Sequence, residues 1–236
     1  MIALGSVFLS FLLGLGALVI LQPEWVFTAL RERSPAVLYN VDTDRLVLAL
    51  TIDDGPDPDH TPRILDTLKQ YGVKVTFFLI AERIKGNEAL VERMIAEGHE
   101  IANHMVDDQP SIRLSTPEFE DQFLEADAVL RQFAQPRWFR PGSGWYDEPM
   151  LATVERHGYR TVLGSIYPYD PHVGSAWFAA RYVLWKARPG AVIVLHDYGM
   201  RGERTAQALT EVLPTLLEQG YTFLTLSELI NQTNSE

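Results

Sequence analysis

The chain has 236 residues, 47% of them hydrophobic, with a formal net charge of -11 and no cysteine. That balance speaks against a nucleic-acid partner, because a phosphate-binding surface needs clustered Lys and Arg, and the lack of cysteine excludes disulfides and thiolate metal sites. About 200 residues beyond an apolar N-terminus suffice for one domain with a full core, the size of a single α/β barrel.

The first stretch, Ile2 to Leu21, carries no charged residue. As a helix it would span about 30 Å, the thickness of a bilayer core. It is read as an uncleaved membrane anchor, because no Lys or Arg precedes the apolar run and no clear A-x-A site follows it; a cleaved signal peptide is the competing reading. Gly14 and Gly16 inside it suit membrane-helix packing. Arg31 and Arg33 are offset by Glu24 and Glu32, so charge says little about orientation. Residues 1–35 are thus expected to be anchor or signal plus linker, and residues 36–236 a single catalytic domain.

From Ser34 onward short apolar runs alternate with amphipathic ones. Strands are predicted at Val47–Ile52, Val75–Ile80, Glu100–His104, Trp138–Pro141, Thr161–Ser165, Ala191–His196 and Thr222–Leu226. Helices are predicted at Thr61–Tyr71, Glu88–Glu97, Thr116–Phe133, Glu148–His157, Ser175–Ala187 and Glu203–Gln219. Thr61 with Pro62 and Thr116 with Pro117 read as N-cap and first turn, and Gly72, Gly98, Gly158 and Gly220 as stops. Strict alternation predicts α/β architecture with parallel strands and right-handed crossovers, and seven strands suggest a barrel or near-barrel. The polar tail, Asn231 to Glu236, is expected to fray.

The chain is organised around Leu48–Asp57, L-A-L-T-I-D-D-G-P-D. An apolar run delivers Asp53 and Asp54 into a Gly-Pro break, where a buried strand ends. Two adjacent like charges call for a cation or for different jobs; a plain surface turn is the competing reading. Asn103 and His104, Arg140, and His196 with Asp197 end other predicted strands, and Asp170 follows the fifth. All therefore fall on the carboxyl-end face, where α/β barrels carry chemistry. Asp108 follows His104 by four positions, a spacing suited to a metal with nitrogen and oxygen ligands, with Asp107 as its substitute.

These residues resemble the polysaccharide deacetylases of carbohydrate esterase family 4, which share the NodB homology domain, from about Val37 to Leu229. T-I-D-D-G-P (Thr51–Pro56) is similar to the family's T-F-D-D-G-P, which implies Asp53 as catalytic base and Asp54 as metal ligand. G-H-E-I-A-N-H (Gly98–His104) resembles the stretch that supplies the next ligand, His104. The family usually has a second His four residues on, where this chain has Asp108 as the implied third ligand. R-P-G-S-G-W (Arg140–Trp145) is similar to R-P-P-Y-G, implying that Arg140 orients the base and the Ser143 amide holds the oxyanion. Y-P-Y-D (Tyr167–Asp170) loosely resembles D-x-x-D-W, whose acid tunes the catalytic His. V-L-H-D (Val194–Asp197) resembles L-x-H, implying Leu195 as the wall for the acetyl methyl and His196 as general acid.

The resemblance implies a distorted (β/α)7 barrel; with the apolar N-terminus, the catalytic domain is expected to lie outside the cytoplasm, membrane-tethered or secreted. It also implies a divalent metal, zinc first with Mn2+, Co2+ or Ni2+ as alternatives. The implied reaction removes N-acetyl groups from N-acetylglucosamine glycans, chitin oligomers or peptidoglycan, with the metal polarising the acetyl carbonyl and Asp53 and His196 moving the protons. Trp145, Tyr146, Tyr167, Tyr169 and Trp177 fall on or near this face, where they could stack on sugars or simply pack. Two other readings stay open: a membrane-tethered glycan binder without turnover, because of Asp108, and an O-acetyl carbohydrate esterase. A serine esterase is disfavoured, since neither Ser143 nor Ser165 sits in G-x-S-x-G.

Overall fold

The computed structural model describes Gly16 and residues 20–233. The Ile2–Leu21 segment read as an anchor lies outside these residues, apart from Gly16, Ile20 and Leu21. Among the described residues no helix is long and apolar enough to cross a membrane. Helix α1 (Glu24–Arg33), which the sequence reading left unassigned, carries Glu24 in its first turn and Arg31 and Arg33 in its last. Those are the signs that its dipole favours.

Residues 36–236 form a separate compact unit. It runs β1 (Val37–Leu38), β2 (Val47–Asp53), α2 (Thr61–Tyr71), β3 (Thr76–Leu79), α3 (Glu88–Ala96), β4 (Glu100–Asn103), α4 (Thr116–Leu130) and β5 (Trp138–Phe139). It continues α5 (Glu148–Arg156), β6 (Arg160–Val162), α6 (Ala176–Lys186), β7 (Val192–His196), α7 (Met200–Glu218), β8 (Thr222–Leu224) and α8 (Leu226–Thr233). Strand β2 is the hub: all seven residues are buried, as a parallel strand covered on both faces requires. It pairs in parallel with β3, β7 and β8. From β3 the sheet continues through β4, β5, β6 and β1, again all parallel. The chain beyond β6 returns to β7 by a parallel bridge between Ile166 and Ile193, and Asn40 beyond β1 reaches Ala191 by an antiparallel one. These bridges make the sheet barrel-like.

Several expectations are corrected. There are eight strands among the described residues rather than seven, the extra one being β1, whose two residues are too few to show a period. Helix α4 is capped by Ser115, not Thr116: the Glu118 carboxylate accepts from the Ser115 N–H (2.9 Å) and hydroxyl (2.6 Å), a capping box. His60, not Thr61, precedes α2, so in both helices the Thr-Pro pair fills the first turn, where proline's missing N–H costs nothing. Helix α7 begins at Met200 rather than Glu203. Asn231–Thr233, expected to fray, are helical in α8, because Leu226 and Leu229 bury that helix against Val47 and Leu224.

Side-chain alternation divides the core and aims the site. Val47, Ala49, Phe78, Ala102, Trp138, Val162 and Val192 share one cluster; Leu48, Leu50, Ile52, Phe77, Ile101, Ile193 and Leu195 join the larger cluster that includes the helices. The first set faces the barrel interior, the second the helical layer. Asp53, His104, Arg140 and His196 each stand an even number of residues from a member of the interior set, so all four point inward. At the opposite, amino-terminal end, Glu100 accepts from Thr76 Oγ1 (2.8 Å), Trp138 Nε1 (2.9 Å) and the Ser227 N–H (3.3 Å), and from the Ser227 hydroxyl. This ties β3, β4, β5 and α8 together.

Candidate active site

Asp53 and His196 are register partners on adjacent strands β2 and β7, so a carboxylate and an imidazole emerge side by side from the barrel. Each is braced by a buried ionic partner. Arg140 Nη1 hydrogen-bonds Asp53 Oδ1 and also Thr51 Oγ1 (2.9 Å), while its Nε donates to the Val162 carbonyl (3.0 Å). Its guanidinium carbon lies 4.0 Å over the Phe78 ring. The Arg side chain is therefore fixed by three strands and a ring before any substrate arrives.

His196 Nδ1 donates to Asp170 Oδ2 at 2.9 Å, and Asp170 is wholly buried. Burial opposes a charge on His196, but the Asp170 carboxylate, aided by Asp53 and Asp54, outweighs it and lifts the pKa from 6.5 to about 9. The imidazole is thus held protonated at neutral pH. The Tyr167 ring meets it edge-on, with centroids 5.9 Å apart.

Asp54 follows β2 in left-handed backbone, φ 76°. Its Oδ1 lies 3.4 Å from His104 Nε2. His104 Nδ1 is 2.7 Å from the Arg140 carbonyl oxygen, and a carbonyl only accepts, so Nδ1 carries the proton and Nε2 faces the carboxylate. Burial resists ionisation of Asp54, yet His104, His196 and Arg201 hold its carboxyl well below the usual range. Burial likewise resists a charge on His104, and Asp54 with Asp53 overrides it and raises that pKa. Left-handed backbone recurs at Met105 (φ 72°), Ser143 (φ 64°) and Tyr169 (φ 60°), each in a loop leaving a strand's carboxyl end. Such conformations cost on the order of 1–3 kcal/mol each and cluster at functional sites.

The structure separates other expected residues from this constellation. Residues 104–108 are not helical, so the four-residue spacing does not bring Asp108 beside His104. Asp108 is 44% exposed in its side chain and pairs with Arg83 (3.1 Å) and Arg201 (3.4 Å). Leu195 is in the wrong phase to line an acetyl pocket beside His196: one residue earlier on the strand, it faces the helices. Val194 has the inward phase. Ser143 is exposed in the turn Gly142–Gly144, whose Gly142 N–H donates to Ser111 Oγ (2.8 Å). Trp145 and Trp177 are each 68% exposed, Tyr146 hydrogen-bonds Tyr39 through their hydroxyls (2.7 Å), and Tyr169 packs edge-on against Tyr167.

Sequence reasoning missed Arg201, whose Nη1 is 2.9 Å from Asp54 Oδ2, and Arg83, which donates to the Asp54 carbonyl (2.7 Å). Arg201 lies directly after the seventh strand's exit loop, the one signal that could have found it. Asp197, recognised only as a strand end, is wholly buried and accepts from Thr61 Oγ1 (2.6 Å). Burial, reinforced by Asp57 and Asp54, pushes its pKa up to about 8.

A parallel, barrel-like α/β domain thus places a braced carboxylate and a protonated imidazole on neighbouring strand ends, the pair of groups that acid-base hydrolysis requires. The chain belongs to the polysaccharide deacetylase family, whose sequence profile matches residues 40–162. A peptidoglycan-N-acetylglucosamine deacetylase of Bacillus cereus is 36% identical over 202 residues, covering 84% of this chain and 95% of that protein. The solved Bc1960 peptidoglycan N-acetylglucosamine deacetylase, in complex with 4-naphthalen-1-yl-N-oxidanyl-benzamide, is 32% identical with a TM-score of 0.78, covering 82% of this chain and 92% of that one. A family 4 acetyl xylan esterase from Clostridium thermocellum, solved with a cobalt ion, is 33% identical with a TM-score of 0.73, covering 79% and 91% respectively.

The family generally uses a divalent metal, and Asp54 and His104 fit one. Both are buried, they converge at 3.4 Å, and Asp54 Oδ2 has no hydrogen-bond donor. The Arg140 carbonyl fixes the His104 ring, as partners behind metal-bound histidines do. Among the described residues no third His, Asp or Glu joins them as a metal group.

Proposed function

We propose that the chain is a metal-dependent deacetylase that removes N-acetyl groups from N-acetylglucosamine-containing glycans, peptidoglycan or chitin oligomers. The observation that carries this reading is the Asp53–His196 register pair, one member paired with Arg140 and the other kept protonated by the Asp170 carboxylate. A general base and a general acid are thus ready together.

Asp54 and His104 would hold the metal in this reading, without Asp108, and the metal would supply Lewis acidity toward the acetyl carbonyl. Asp53 takes the proton from the attacking water, and Arg140 keeps its carboxylate aimed inward. The Ser143 backbone N–H stabilises the oxyanion as it develops. His196 gives its proton to the amide nitrogen as the C–N bond breaks, releasing acetate and the free amino sugar. Trp145 and Tyr167 are the proposed sugar contacts, and Val194 replaces Leu195 beside the acetyl methyl.

The Ile2–Leu21 run supports a membrane tether, to be checked by fractionating the full chain against one lacking residues 1–30. The deacetylase reading is tested by acetate release from N-acetylglucosamine oligomers and from peptidoglycan, with Asp53→Asn as control. Folded protein that releases acetate from neither would favour the binding-only alternative. Similarity to the acetyl xylan esterase supports O-acetyl esters as a second substrate class, so acetylated xylan belongs in the same assay.

A further inference from the structure

The geometry points to Arg201 as a resident competitor for the metal: its guanidinium sits against Asp54, and a divalent ion binds fully only by displacing it. This inference rests on the reading of Asp54 and His104 as the metal-holding pair. Nη1 of Arg201 is 2.9 Å from Asp54 Oδ2, and Nη2 is 3.4 Å from Asp108 Oδ2. The guanidinium therefore bridges the carboxylate that holds the metal and the one that occupies the position of the family's second histidine.

Three features make this a built arrangement. Arg201 is the second residue of α7, and the start of that helix is stitched to the loop after β2: Asp57 accepts the Gly199 N–H (3.0 Å) and Thr61 donates to Asp197 (2.6 Å). Gly202 permits the close approach, since a Cβ there would meet the Asp197 carbonyl at 2.0 Å and His60 Cβ at 2.7 Å. Asp108 is unavailable to the metal because Arg83 also holds it at 3.1 Å, and Arg83 is in turn fixed by the Asp54 carbonyl and stacked 3.6 Å over Tyr198.

The contact is also weak in the way a replaceable partner should be. Although Nη1 and Oδ2 are close, Asp54 Oδ2 receives no hydrogen bond, so charge alone holds the pair. A guanidinium prefers a bidentate fork, and a compact divalent ion meets the same oxygen with twice the charge. Apparent metal affinity falls to the intrinsic affinity multiplied by the fraction of time that the competitor leaves the site open.

The test is calorimetric titration of zinc chloride into the chelator-stripped full chain in detergent, comparing wild type with Arg201→Ala, the shorter neutral polar variant Arg201→Gln, and Asp54→Ala. Competition predicts that both neutral Arg201 variants bind zinc about tenfold or more tightly than wild type, and that Asp54→Ala abolishes binding. Equal or weaker binding by either folded variant, with Asp54→Ala still abolishing it, overturns the role of Arg201 and leaves the metal site standing. Absence of zinc binding in wild type and in both neutral variants overturns the two readings together.

Discussion

At the amino-terminal end of the barrel Glu100, on β4, receives four hydrogen bonds from two other strands and a helix, whereas at the carboxyl-terminal end buried charge is only partly satisfied. There Asp54 Oδ2, Asp170 Oδ1, Asp197 Oδ1 and Arg140 Nη2 are all buried without a hydrogen-bond partner. The left-handed non-glycine residues of the domain crowd the same end. The same residue type, a carboxylate on a strand of one sheet, holds the fold together at one end and is poised for chemistry at the other.

Substitutions at the two ends should separate these roles. The largest effect is expected at the carboxyl end: Asp53→Asn or His196→Ala should lower acetate release by about 10²- to 10⁴-fold each, with the folded state retained by circular dichroism. Either variant turning over at the wild-type rate would contradict the assignment of base and acid. Next in size is Glu100→Ala, which removes the acceptor of four hydrogen bonds and should destabilise the domain by about 2–3 kcal/mol in urea titration. Its kcat should be unchanged; a drop in turnover at constant stability would break the contrast.

A pH series sharpens the same contrast. Because the folded state binds the His196 proton more tightly than the unfolded state does, with the pKa raised from 6.5 to about 9, the stabilisation is complete below pH 6.5 and is lost as pH climbs through about 9. Wild type should therefore lose stability between those values, and Asp170→Asn should flatten the slope and move the alkaline limb of the activity profile down. Glu100→Ala should leave both unaltered. The smallest effect is expected far from either end: Ser115→Ala removes the α4 capping box and should cost about 1 kcal/mol, read as a small fall in melting temperature with no change in activity.

Much of the architecture was legible in order and type. The run Val47–Ile52, apolar except for Thr51, read as a strand covered on both faces, and Gly72, Gly98, Gly158 and Gly220, all in left-handed backbone, ended their elements where the chain reverses. The two-residue strand β1 was not legible, because pairing with β6 creates it, and α8 was not, because its helix is held by burial of Leu226 and Leu229 under a polar tail. In the site, Asp53, Asp54, His104, Arg140, Asp170 and His196 could be placed at one end by counting strand ends. Asp108 and Leu195 could not be placed correctly, since the four-residue spacing presumes a helix that the 104–108 loop does not form, and one residue of strand phase reverses a side chain.

The sequence by itself thus determined that Asp53, Asp54, His104, Arg140 and His196 reach the carboxyl end of the barrel, because hydrophobic period and strand termini are local properties. Only the tertiary structure decided which of them face one another. Asp53 meets His196 through the register of β2 with β7, and Arg201 reaches Asp54 because Gly202 lets α7 approach the end of β7; both depend on contacts between segments more than 140 residues apart in sequence, where local periodicity carries no information.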